Sequence, residues 1–379
     1  MNAPNTLIKD NGRNITIDSM KGLLIILVVL GHTYNKITTN FIYLFHVGLF
    51  FVLSGYCFNP KYTESIASLW ELFKKRIKGL WIPYVVYNFI FLVLQNIWLK
   101  IGFLTSDEAY FSYEPYLKDG YCLPISIIGA IKAFIKSLFF MNSRPFAGGL
   151  WFLGGLFYVT ILYTLLQFIL RKIKIEKFHI IFSIIFLIAG WLIVKFGYVQ
   201  KIPLLKQIAV ILISEVLFSI GTYTREYITL PVLKTPAYCT SFILSFIVLY
   251  ILSLFGSISI AGVNIKNLLY YLTGILIGGG INLLIKTLES IGMKKLVYFF
   301  SYVGKKTIPI LALHSLCFKL ITLIQWKIYG AEKIILSTYP VWKNTIFWSL
   351  AYLIAGLFIP LLIATLLSKN KFCKSVLKF

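Results

Sequence analysis

The chain reads as an all-α polytopic membrane protein, a single bundle of about ten transmembrane helices with both termini in the cytoplasm. Three observations predict this. The composition is 59% hydrophobic and 13% charged, whereas a soluble domain carries about 25% charged residues. Mean hydropathy is +0.83. Apolar runs near 20–38, 41–58, 80–99, 149–170, 178–198, 204–222, 237–256, 266–286, 305–325 and 345–367 each have roughly the length that crosses a hydrocarbon core.

The placing of charge then gives the orientation. The net charge is +24, which alone would fit a nucleic-acid binder. The basic residues instead alternate between the loops. One side holds Lys61, Lys74, Lys75, Arg76 and Lys78, then Arg171 to Lys177, Arg225 and Lys234, Lys286 to Lys306, and the tail from Lys369. The other side carries fewer, mixed with Asp107, Glu108, Glu114, Asp119 and Glu332. That asymmetry puts the basic loops and both termini in the cytoplasm and excludes nucleic acid as the partner.

Organisation follows in order. Residues 1–19 form a polar cytoplasmic segment, 20–368 the transmembrane domain, and 369–379 a basic cytoplasmic tail. The first apolar run has no small-residue cleavage site behind it, so it reads as a retained span rather than a signal peptide. The longest polar insertion, Lys100 to Gly148, faces outside. Its stretch from Ile125 to Phe140, with Lys132 and Lys136 on an apolar background, predicts an amphipathic helix at the membrane interface. Cys57, Cys122, Cys239, Cys317 and Cys373 form no C-x-x-C pair, and neither a disulfide framework nor a metal site is indicated. Gly278-Gly279-Gly280 lacks the Lys-Ser/Thr of a phosphate loop. With Gly274 four residues earlier it predicts close helix packing.

Polar groups inside apolar runs are the candidate functional residues, because hydrocarbon makes them costly unless they pair or line a wet cavity. His32 lies roughly 18 Å along the outgoing first span and His46 roughly 8 Å into the returning second. A short connection makes these spans antiparallel neighbours whose histidines can face each other. His314 falls near mid-depth of a later outgoing span, either in the same layer or as a packing residue. His179 begins a span on the basic side and reads as interfacial. Glu215 is the one acid placed well inside a span. It can hold an imidazole in one tautomer, or pair structurally with Lys195, Lys206 or a backbone group.

Several motifs then stand in one order. Asp18 and Lys21-x10-His32 come first, followed by the span His46-Val47-Gly48-Leu49 to Leu53-Ser54-Gly55-Tyr56. Arg76-Ile77-Lys78-Gly79-Leu80-Trp81-Ile82-Pro83-Tyr84, Leu150-Trp151-Phe152-Leu153 and Leu313-His314-Ser315 complete the series. In type, order and spacing the chain resembles the membrane acyltransferase-3 family, especially its branch of fucose 4-O-acetylases and other polysaccharide O-acetyltransferases. Two positions depart from the family pattern. Lys21 stands where arginine is common and lacks the bidentate fork. Gly48 stands where a helix-bending proline is common.

The resemblance implies an O-acyltransferase in a bacterial inner membrane. It would move an acetyl group from cytoplasmic acetyl-CoA, as co-substrate and without a metal, to a hydroxyl of a cell-surface or lipid-linked glycan. It implies His32 as general base, with His46 and His314 in the catalytic layer, which Glu215 would join on the reading of its place inside a span. His46, or backbone amides near Gly48 and Gly55, would face the oxyanion. Lys21, Lys74, Lys75, Arg76 and Lys78 would meet the phosphates of the donor, unless the cluster only marks topology. Lys21 alternatively pairs with Asp18 at i,i+3. Asp18, Trp151 and Phe152 would contact the acceptor, although an aromatic belt explains the last two equally well. Direct transfer and an acyl-enzyme relay, for example through Ser54, both remain open; the absence of a nucleophile motif favours direct attack. The competing class is a transporter or flippase for a lipid-linked sugar, against which stands the lack of paired half-repeats.

Overall fold

The computed structural model describes residues 9–10, 13–113, 120–141, 144–198, 202–228, 233–256, 258–261, 265 and 268–378. Glu114 and Asp119 lie outside the described residues. The architecture is helical, apart from a two-residue antiparallel pair, β1 (Lys9–Asp10) with β2 (Arg13–Asn14). In chain order the helices are α1 (Ile15–Gly31), α2 (Lys36–Tyr43), α3 (His46–Tyr56), α4 (Ile66–Arg76), α5 (Ile82–Ile101), α6 (Tyr110–Tyr113), α7 (Ile127–Leu138), α8 (Trp151–Lys172) and α9 (His179–Lys195). There follow α10 (Pro203–Tyr227), α11 (Thr235–Ser253), α12 (Leu268–Gly278), α13 (Ile281–Ser290), α14 (Lys294–Gly304), α15 (Thr307–Tyr329), α16 (Ile346–Leu367) and α17 (Lys371–Leu377).

Among the described residues, 9 helical stretches are long and apolar enough to cross a membrane. They correspond to the predicted spans two to ten. The first helix, α1, has 17 residues, about 25 Å of rise. It begins at Ile15, five residues before the predicted start, because its polar first turn is satisfied by protein. Thr16 donates to Glu289 at 2.8 Å and Ser19 to the Val297 carbonyl at 2.8 Å, while Asp18 pairs with Arg13.

Three boundaries differ from the sequence reading for physical reasons. The second span is broken at Leu44–Phe45, between α2 and α3. Gly274 and Gly278 bring α12 onto that break: a side chain at Gly278 would strike Phe45, and one at Gly274 would crowd the Leu44 carbonyl. This is the close packing their four-residue spacing predicts. The third span is longer than predicted. α4, a π-helical turn (Ile77–Trp81) and α5 run together over 36 residues, so Lys74, Lys75, Arg76 and Lys78 lie on helix, not in a loop. Pro83 follows the π-turn and has no N–H for the ladder; a π-turn is a usual way to absorb such a defect. The basic tail is also helical at α17, where the Asn370 side chain caps the Phe372 and Cys373 amides.

The chain divides into two compact units. The first comprises Met1–Leu27, Asn40–Lys75 and Gly155–Thr307. Its centre is α10 packed against α3 and α9. Backbones touch there because glycines stand at the crossing: a side chain at Gly55 would collide with the Phe218 carbonyl, and one at Gly221 with Val52. Gly22 and Gly304 do the same between α1 and α14.

The second unit comprises Val28–Thr39, Arg76–Gly154 and Ile308–Phe379. α7 packs on α5, and the Trp81 indole donates to the Leu138 carbonyl at 2.8 Å. α7 is the amphipathic helix the sequence predicts. Ser126 caps it, Ala133 and Ser137 are buried, and Ile127, Ile128, Ile131 and Ile135 are exposed along one face. Gly356 admits the Phe318 ring between α16 and α15. α17 lies on α5, where the Tyr87 hydroxyl donates to the Leu377 carbonyl at 3.2 Å.

Candidate active site

The second unit brings two of the predicted histidines together. His32 follows the last residue of α1, and His314 sits inside α15. Their ring centroids are 4.9 Å apart at 50°. His314 is fully buried, whereas His32 keeps partial exposure.

Backbone carbonyls fix the tautomer of both rings. His32 Nδ1 lies 2.8 Å from the Val28 oxygen. His314 Nδ1 lies 3.1 Å from Ile310 O and 3.0 Å from Leu311 O. A carbonyl only accepts, so Nδ1 carries the proton in each ring and Nε2 carries the lone pair. The Ser315 hydroxyl is 3.2 Å from His314 Nε2, and with that tautomer it is the donor. The α-helix itself therefore presents each imidazole as a base, using the carbonyl one turn back.

The beginning of α8 completes this corner. A Cβ built on Gly149 would stand 3.0 Å from Leu311 Cδ1 and 3.5 Å from His314 Cε1, so glycine lets the backbone run beside the imidazole. Trp151 and Phe152 open α8 as expected, partly exposed, with ring centroids 6.3 Å apart.

The other predicted residues are distributed differently. His46 is the first residue of α3, in the first unit, with Nδ1 2.7 Å from the Ile42 oxygen and its ring 4.9 Å from Tyr43. It shares the Ile42 carbonyl, at the helix break, with the Phe45 amide, which donates to it at 3.2 Å. Gly48 lies in the first turn of α3, while Gly55 is committed to packing on α10. Glu215 is fully buried on α10. Its Oε1 accepts from Ser183 at 3.1 Å and Ser219 at 3.0 Å, and those hydroxyls are 2.6 Å apart. These serines, and neither an imidazole nor Lys195 or Lys206, are its hydrogen-bond partners. His179 opens α9 as expected and is 1% exposed within the protein: Nδ1 faces the Glu176 carbonyl at 3.1 Å and the ring meets Tyr163 edge-on at 5.8 Å.

Asp18 is 3% exposed and engaged bidentately by Arg13, at 2.8 and 3.0 Å, so the alternative pairing with Lys21 is replaced by Arg13. The hydrogen bond to Asp18 raises the Arg13 pKa above its ordinary value, against the opposing effect of burial. Lys21 is partly exposed on α1. Lys74, Lys75 and Lys78 are exposed and Arg76 partly so. Lys75 also donates to the Tyr62 hydroxyl at 3.2 Å.

Sequence reasoning passed over two residues of the second unit. Ser315 stood beside His314, and adjacency alone says nothing of where a hydroxyl points. Lys319 is 1% exposed inside an apolar span, and its ammonium donates to Leu336 O at 2.7 Å and Thr338 O at 2.6 Å. The signal was a lone lysine in an apolar run, which deserved the weight given to the histidines.

A family model described as an acyltransferase domain, Acyl_transf_3, matches residues 14–367. The chain belongs to this acyltransferase family. The family's domain is carried here on a multi-pass membrane fold. A segment of this acyltransferase is similar to the nodulation protein NolL of Sinorhizobium fredii, at 48% identity over 58 residues. That segment is 12% of this chain and 16% of the relative. No solved structure matches the acyltransferase.

Proposed function

We propose that this acyltransferase moves an acetyl group from cytoplasmic acetyl-CoA to a hydroxyl of a cell-surface or lipid-linked glycan, in a bacterial inner membrane with both termini cytoplasmic. The observation that carries the reading is the His32–His314 pair. A sugar hydroxyl is a poor nucleophile until a base takes its proton. His32 offers a tautomerically fixed lone pair at Nε2 and is the less buried of the two residues, so it is the general base. As its Nε2 takes the hydroxyl proton, the sugar oxygen bonds to the acetyl carbonyl carbon. The bond from that carbon to its leaving group then breaks, and the leaving group receives the proton.

The neighbouring His314 cannot readily carry a second positive charge at this distance. It stays neutral while His32 is protonated. The exposed cations Lys74, Lys75 and Lys78, with Lys21 and Arg76, are the residues suited to the donor's phosphates. Trp151 and Phe152 are the aromatic surfaces suited to a sugar face.

The test is the ester-linked acetyl content of surface glycans in the producing cells. Wild type, a deletion, and the deletion carrying His32→Ala are compared at matched membrane levels. Loss of acetyl in the deletion, restored by wild type and not by His32→Ala, is the expected result. Equal acetyl content in all three overturns the acetyl-to-glycan reading.

A further inference from the structure

The His314–Ser315 pair has a geometry that a single base at His32 does not use. The Ser315 Oγ to His314 Nε2 separation of 3.2 Å is within reach for activating a hydroxyl nucleophile. The base is itself oriented by a third group, as such arrangements require. Two carbonyls, Ile310 O and Leu311 O, hold Nδ1 at 3.1 and 3.0 Å. Ser315 and His314 are 2% and 0% exposed, so both are shielded from bulk water. Next to them stands the ring of His32, whose basic nitrogen is fixed in the same way. Other intramembrane serines are engaged differently: Ser54 donates to Phe50 O at 2.7 Å, Ser183 and Ser219 lie against Glu215, and the buried Ser214 hydroxyl has no partner among the described residues. Ser54, the relay candidate from sequence, is thus engaged by its own helix.

We infer that Ser315 is a covalent relay: it accepts the acetyl group from the thioester with His314 as its base, and His32 then activates the acceptor against the resulting ester. This deepens the proposed acetyl transfer and rests on it. In the first step Ser315 Oγ attacks the thioester carbonyl and its proton passes to His314 Nε2. The carbon–sulfur bond breaks, and the CoA thiolate takes the proton from His314. In the second step the sugar oxygen attacks the Ser315 ester while its proton passes to His32 Nε2. The carbon–Oγ bond breaks, and Oγ recovers that proton from His32. Each histidine serves one half-reaction, which accounts for two fixed bases side by side. A relay also divides the reaction, so that donor and acceptor need not occupy the site together.

The experiment uses the full chain, purified in lipid nanodiscs and given acetyl-CoA labelled in the acetyl group. After an acid quench, the peptide bearing Ser315 is read by mass spectrometry. His32→Ala, which blocks the second step, should hold the label on Ser315. Wild type should lose it when membranes of the producing cells supply the acceptor. Ser315→Ala should hold none and transfer at least a hundredfold more slowly, while Ser315→Cys should carry a label released by neutral hydroxylamine. The relay is overturned by transfer by Ser315→Ala within tenfold of wild type, or by release of CoA by His32→Ala with no label on Ser315. If Ser315→Ala transfers normally and His32→Ala does not, the relay falls and the base at His32 stands. Normal transfer by His32→Ala removes the base and the two-step scheme together.

Discussion

His32, just past the end of α1, and Glu215, inside α10, are polar groups in apolar segments, one in each unit, and they are held in opposite ways. His32 is bonded through Nδ1 to a carbonyl of its own helix and keeps partial exposure. That bond fixes which ring nitrogen is the basic one. Glu215 is fully enclosed, and one of its oxygens lies within hydrogen-bond distance of two serine hydroxyls that stand 2.6 Å apart. An intramembrane polar residue signals function by default, but the partner decides which function. A group oriented by the backbone beside a second imidazole suits chemistry, whereas one clasped by neutral hydroxyls ties helices together. In the first unit that clasp joins α9 to α10 through Ser183.

The sharpest way to break this contrast is to put the same residue at both places. Glutamine at position 32 keeps polarity and approximate size but removes the base. His32→Gln should lower acyl transfer about 10²–10⁴-fold at unchanged membrane level, measured as acyl ester formed per milligram of protein. A variant within tenfold of wild type would show that the fixed lone pair is not the working base.

The next effect is on folding. α3 and α10 meet backbone to backbone at Gly55 and Gly221, so Gly221→Leu forces the helices apart. Overpacking of this kind costs about 1–3 kcal/mol. A lowered melting temperature in detergent, with loss of transfer following loss of folded protein, is the expected outcome. An unshifted melt would mean that this crossing gives way more easily than its geometry indicates.

Smaller still is the effect of the exposed cations. Replacing Lys74, Lys75 and Lys78 together by alanine should raise KM for acetyl-CoA roughly fivefold with little change in kcat. The gap should narrow as salt rises past about 0.1 M, where exposed charges are screened. A KM that does not respond in either buffer would leave these residues as marks of topology alone.

Much of this was legible in the sequence, and the limits have physical causes. Composition and apolar run length gave the helical membrane fold. His32 and His314 stood out because each is a cost in hydrocarbon that something must offset. The break before His46 was invisible, because it coincides with a tertiary contact: Gly274 and Gly278 lie far along the chain, and only folding lays them on Leu44 and Phe45. The run through Lys74 to Lys78 read as a loop because cations were counted as topology, although long basic side chains are tolerated on a helix near its membrane end. The role of Ser315 could not be read either, since a serine on a helix has several acceptors within reach and sequence does not choose among them.

The second half of the glutamine comparison is the smallest effect and the most discriminating. In Glu215→Gln the side-chain oxygen can still accept from both Ser183 and Ser219. The second carboxylate oxygen, Oε2, has no partner among the described residues, so the amide that replaces it forfeits no hydrogen bond. Transfer should stay within about twofold of wild type. Glu215→Ala takes away the shared acceptor, and stranding buried hydroxyls costs about 1–3 kcal/mol, so its defect should appear in the melting temperature before it appears in the rate. If instead Glu215→Gln folds normally and loses transfer as His32→Gln does, then ionisation of this carboxyl matters to the reaction. The two clusters would then differ in burial but not in kind, and the acid in the first unit would join the histidines as part of the chemistry.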